Sequence, residues 1–137
     1  MQNIAAHQAQ RQYQAQIALA REKAVAADMS AAMYRLVALR LPPSVRKIVV
    51  YGSGQAGRIL LAVCRECGIR VAGLTDSDSS RWAENVDGVQ ILPPEECLNL
   101  ECDDWVIASL AFADEIERSI LRLGNAAGRK LRTFRAD

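Results

Sequence analysis

Residues 47–61 read KIVVYGSGQAGRILL, a β-branched run that breaks into three glycines and resumes at once as an apolar helical pattern. Few architectures accommodate that succession. A buried strand that turns through G-x-G-x-x-G onto a helix opens a β-α-β unit. Gly52 supplies a backbone conformation that a Cβ would strain, and Gly54 removes the side chain that would block a pyrophosphate. Gly57 lets the helix pack close to the strand. The first N–H groups of a helix starting near Gln55 have no partner inside it, and the helix dipole favours an anion there. Gly52, Ser53, Gly54, Gln55, Ala56 and Gly57 are therefore candidate ligand-binding residues. The competing reading is an ordinary glycine turn in a parallel-sheet protein that holds no ligand.

The following residues continue the unit. Ile59, Leu60, Val63, Cys64 and Cys67 share one helical face, and Gly68 stops the helix. A second apolar run, residues 71–75, ends in Asp76, nineteen residues beyond Gly57. A dinucleotide fold places there the acid that accepts hydrogen bonds from a ribose. A carboxylate at that point repels a 2′-phosphate, and no arginine follows until Arg81, so NAD is expected over NADP. A nucleotide-sugar would meet the same acid through its ribose or base.

Further along, Asp87-Gly88 is a turn signal and residues 89–92 a short third strand. Pro94, Glu95 and Glu96 open a brief helix. Residues 103–109 bring a fourth strand ending in Ser109, a further candidate contact for the ligand. Residues 113–124 form a helix, and residues 130–134 a fifth strand. Strands alternating with helices imply an α/β domain with a parallel sheet covered on both faces. Right-handed crossovers favour the strand order 3-2-1-4-5, which gathers Gly52 to Gly57, Asp76 and Ser109-Leu110-Ala111 around one crevice.

Before this domain, residues 4–40 contain neither glycine nor proline and are rich in Ala, Gln, Arg and Leu. They predict one long helix, or two joined near Asp28-Met29-Ser30, ended by Leu41-Pro42-Pro43. The division is thus a helical arm over residues 1–44 and a binding domain over residues 45–137. The arm's apolar residues point to packing on its own domain or to self-association, and a homo-oligomer through this helix is the expectation. His7 lies in a glutamine-rich stretch of the arm and is not read as catalytic.

With 137 residues and half of them apolar, the chain has enough material for a real core. It has no apolar run of membrane-spanning length, and its first residues lack the basic and apolar regions of a secretory leader, so a cytoplasmic location is expected. Cys64-x-x-Cys67 sits on a helix face near its C-terminal end, which suits neither a zinc knuckle nor a redox pair, and no metal is expected. Residues 1–47 carry seven basic and two acidic side chains, residues 48–137 ten and fourteen. The arginines between Arg118 and Arg135 lack the aromatic interleaving of a nucleic-acid surface and read as a solvated or partner-facing surface.

Four stretches, KIVVYGSGQAGR, VAGLTDSD with Trp82 following, DGVQILPPEE and WVIASLAFADEI, together resemble the nucleotide-binding Rossmann domain of bacterial sugar-modifying proteins. That domain occurs at the N-terminus of sugar-nucleotide acetyltransferases and polysaccharide-biosynthesis dehydratases, and at the C-terminus of sugar methyltransferases. The resemblance covers residues 46–123 and implies a nucleotide held by Gly52, Ser53, Gly54, Gln55, Gly57 and Asp76, with Ser109 nearby. Two parts of such proteins are missing from the sequence. None of Tyr13, Tyr34 and Tyr51 has the Lys four residues on that a dehydratase or epimerase uses for proton transfer, and no hexapeptide repeat follows. The expectation is a binding module without catalytic residues of its own, serving sugar-nucleotide or surface-polysaccharide modification beside a separate catalytic polypeptide. The alternatives are an NAD-dependent oxidoreductase and an assembly module with a vestigial pocket.

Overall fold

The computed structural model describes residues 4–137. Its sheet is built around β1 (Lys47–Tyr51), whose Ile48, Val49 and Val50 are wholly buried. A strand apolar on both faces belongs in the middle of a covered parallel sheet. β1 is flanked in parallel by β2 (Arg70–Thr75) and β5 (Asp104–Ile107), with β4 (Val89–Leu92) outside β2 and β6 (Arg132–Phe134) outside β5. β3 (Asn85–Val86) pairs antiparallel with β4, and the full order is β3-β4-β2-β1-β5-β6. Without β3 this is the order the crossover rule gives. The sixth strand is the one departure: Asp87 (φ 50°) and Gly88 (φ 84°) form a two-residue turn that folds Asn85–Val86 back onto β4.

Side-chain alternation along β1 divides the interior into two layers. Ile48 and Val50 face α2 (Gln55–Cys67), where they meet Leu60, Leu61, Val63 and Cys64. Val49 and Tyr51 face the other side, against Trp105, Ile107, Cys97 of α3 (Pro94–Cys97) and Ile120 of α4 (Ala113–Ala126). Gly68, in the left-handed conformation (φ 70°), ends α2 as expected. α4 runs two residues past Gly124, and the last strand starts at Arg132 rather than residue 130.

α1 (Ile4–Arg40) is one continuous helix through Asp28 and Ser30. Only Tyr34 and Val37 are buried in it; they join the α2 layer, with Ala31, Ala38 and Leu41 packed alongside. Arg35 grips Glu66 of α2 through two hydrogen bonds of 2.9 and 3.2 Å. Nearer the N-terminus, Tyr13, Leu19, Val25 and Met29 are exposed. Among the described residues no helix is long and apolar enough to cross a membrane.

The three C-terminal arginines that the sequence left open are taken up within the domain. Arg129 pairs with Asp103, Arg132 with Asp104, and Arg135 with Asp114 and Asp137. Cys64, Cys97 and Cys102 are buried and unpaired, and Cys67 is exposed. Burial pushes the Cys64 thiol up to about 11 and the Cys97 thiol to about 12, so both stay protonated at neutral pH.

Candidate nucleotide-binding cleft

A cleft of about 800 Å³ opens at the C-terminal ends of β1, β2 and β5, the switch point where α/β sheets bind ligands. Its floor is the glycine loop. Gly52 has φ 122° and donates its N–H to the Thr75 carbonyl at 2.8 Å, and a Cβ there would stand 2.6 Å from the Ala108 carbonyl oxygen. At Gly57 a Cβ would stand 2.0 Å from the Gly52 carbonyl oxygen, so the helix can come this close to the strand only without a side chain. Gly54 is different. Its φ is −76°, and nothing lies nearer to its ideal Cβ than the Arg81 Nη1 at 3.7 Å. Neither the backbone nor packing requires glycine here. Gly54 is the N-cap of α2 and supplies no side-chain cap, so the start of that helix faces the cleft as bare backbone.

Asp76 lies beside the loop and is tied to it. Its Oδ2 accepts from the Ser53 N–H at 2.9 Å and the Ser53 hydroxyl at 2.5 Å, and its Oδ1 accepts from the Asp78 N–H at 2.9 Å. Burial alone would raise this carboxyl. The hydrogen bonds from the Ser53 side chain and from the backbone of Asp78 and Ser53, with the charge of Arg81, outweigh it and hold Asp76 below the usual carboxylate value. A carboxylate offers about four acceptor sites, so these three donors leave room for one more on Oδ1.

Ser109 borders the cleft on the β5 side, where its Oγ accepts from the Phe112 N–H at 3.2 Å. Gly52, Ser53, Gly54, Gln55, Ala56, Asp76 and Ser109 all line the one cleft, while Gly57 lies behind the loop and acts through packing. The structure brings Leu110 to the cleft beside Ser109, as the sequence order implied, and adds Phe112 and Arg81, which the sequence did not single out. Leu110 and Phe112, 49% and 62% exposed, form an apolar lip on the loop into α4. Arg81 reaches in from the other wall. Tyr51 lies beneath, and burial, then the charge of Asp76, pushes its phenol above the usual value, so it stays a neutral hydroxyl.

Residues 44–130 match the sequence family described as C2185-like, N-terminal. The chain belongs to this family. No curated protein matches it in sequence. Among solved structures, the C2185-like domain is similar to the crystal structure of UDP-D-quinovosamine 4-dehydrogenase from Vibrio fischeri. The two share 16% identity at a TM-score of 0.50, over 67% of this chain and 78% of that one. A second structure, of RSP in complex with beta-NADH, aligns at 14% identity and a TM-score of 0.46, over 58% of this chain and 42% of that one. At these identities the likeness to the Vibrio protein establishes a Rossmann-like fold for the C2185-like domain, and nothing more specific.

Proposed function

We propose that this protein is a nucleotide-binding module that holds NAD(H) or a nucleotide-sugar, with the ligand's phosphates on the glycine loop. The observation that carries this reading is Gly54. Gly52 and Gly57 are accounted for by the backbone and by packing, whereas Gly54 is accounted for only by what its missing side chain leaves open, the bare start of α2 on the cleft. Backbone N–H groups and the positive end of a helix suit a phosphate. Asp76 has one acceptor site left for a ribose hydroxyl, and the lip of Leu110 and Phe112 offers an apolar surface for a base or nicotinamide ring.

The module is proposed to work without turning over its ligand. Beside Glu115 and Arg81, the cleft's titratable groups are Asp76, held ionised by its donors, and Tyr51, held neutral by burial. Ser109 is not a base at neutral pH. A role in sugar-nucleotide or surface-polysaccharide modification, beside a separate catalytic polypeptide, rests on the sequence resemblance; the structural neighbour from Vibrio fischeri is itself described as acting on a UDP-sugar.

Thermal melting with NAD, NADH, NADP, UDP-sugars, dTDP-sugars and CoA in turn tests the reading, because a ligand that binds only the folded state raises its stability by mass action. One class is expected to raise the melting temperature of the protein and to leave that of Gly54→Val unmoved, although the variant folds normally. If no nucleotide shifts the wild type, the nucleotide reading falls.

A second copy of the chain is the proposed partner of α1. Val25, Met29, Leu36 and Leu39 follow one another at spacings of four, seven and three along an exposed stripe. About 37 residues of helix span ~55 Å.

A further inference from the structure

We infer that Arg81 is a ligand-binding residue that closes on the phosphates from the side opposite the start of α2. This rests on the nucleotide reading above and adds to it a residue that the motif does not contain. Arg81 ends a short 3₁₀ turn, Ser79–Arg81, whose position is fixed from both sides. Asp78 caps the turn by accepting from the Ser80 N–H at 3.0 Å and the Ser80 hydroxyl at 2.6 Å. Trp82 donates its indole N–H to the Asp76 carbonyl at 2.8 Å and packs against the α2 layer of the core. Between these anchors the chain doubles back over the glycine loop. The Arg81 Nη1 is carried to 3.7 Å from the place a Gly54 Cβ would occupy.

The guanidinium has no anion of its own among the described residues. Arg35, Arg129, Arg132 and Arg135 all form ion pairs, and Arg65 donates to the Asp87 carbonyl. Arg81 forms none of these contacts and acts on Asp76 only at longer range, the three donors to that carboxylate coming from Ser53 and Asp78 instead. A half-buried arginine facing bare helix N–H groups across a cleft leaves a gap with positive charge on both sides. That charge suits a diphosphate: the helix end supplies single N–H donors, and the planar fork of an arginine can hold two phosphate oxygens at once. The same charge offsets the repulsion that Asp76 exerts on a 2′-phosphate, so the preference for NAD over NADP expected from Asp76 alone is weakened.

The test is titration calorimetry of the full chain with NAD, NADP and UDP-glucose at several sodium chloride concentrations, for the wild type, Arg81→Ala, Arg81→Lys and a remote control, Arg122→Ala. Arg81→Ala is expected to melt with the wild type. For whichever diphosphate the wild type binds, it is expected to bind about ten- to a hundredfold more weakly, the range for losing charged hydrogen bonds. Its affinity should also vary less with salt. Lysine should recover part of the loss, as a charge without the fork, and Arg122→Ala should match the wild type. If Arg81→Ala binds as the wild type does with the same salt dependence, the Arg81 assignment is overturned and the nucleotide reading stands. A wild type that binds neither these three nor any other nucleotide of the melting series overturns both.

Discussion

A methyl group at Gly57 would sit 2.0 Å from the Gly52 carbonyl oxygen, whereas one at Gly54 would meet only the end of the Arg81 side chain at 3.7 Å. Gly57→Ala is therefore expected to lose about 3 kcal/mol of stability, the upper end of the usual overpacking cost, while Gly54→Ala stays within about 1 kcal/mol of the wild type; denaturant unfolding of the two variants separates them. Asp76 carries a pH prediction. Its folded-state value lies below the unfolded one, about 3.9, so its contribution to stability is complete above that pH and is lost as the pH falls through the lower folded value. The melting temperature of the wild type should drop more steeply below about pH 4 than that of Asp76→Asn, and equal slopes would show that the carboxylate does not hold the loop. Glycine loop, Asp76 and Ser109 were all legible, because each sits at a fixed offset from a strand end. Arg81 was not. Its place depends on an Asp78 cap and a tryptophan anchor, and counting five residues beyond Asp76 gives no hint that the chain turns back.

At the level of elements, the sheet order followed from alternation, handedness and the dinucleotide-type glycine motif after β1, which together favour β2 and β5 on either side of β1. β3 escaped notice because two residues are too few to show a period, although the Asp87-Gly88 turn was visible. The continuity of α1 was left open by Asp28 and Ser30, which prefer caps in isolation; here neither interrupts the hydrogen bonding of a helix with good formers on both sides. Docking of α1 on α2 leaves one flaw. The Tyr34 hydroxyl is buried and no partner for it is found among the described residues, and burial raises its pKa. Tyr34→Phe is expected to leave α1 in place and to stabilise the protein by about 1 kcal/mol, the lower end of the cost of an unsatisfied buried polar group; a loss of stability in chemical denaturation would point to a partner for that hydroxyl.

For the whole molecule, the contrast is between a domain that has buried its apolar residues and a helix that has buried two. Light scattering should find a dimer for the wild type. A chain with both Val25→Glu and Met29→Glu should be monomeric with an unchanged domain melting temperature, because neither residue touches the core. A wild-type monomer would leave the arm to another kind of partner. The arm also lies outside the residues that match the C2185-like family, so the nucleotide cleft and the arm can be tested as separate functions.

The indole that anchors the Arg81 turn gives the protein a built-in optical reporter. Of its two tryptophans, Trp105 is sealed in the core and bonded to the Cys102 carbonyl. Trp82 is half-buried and hangs from the Asp76 carbonyl at the edge of the cleft. A ligand held by Arg81 changes the polarity around the neighbouring indole, so emission from Trp82 should change on loading while that of Trp105 stays constant. The signal should vanish in Trp82→Phe, and occupancy could then be followed in real time without labelling the protein or the ligand.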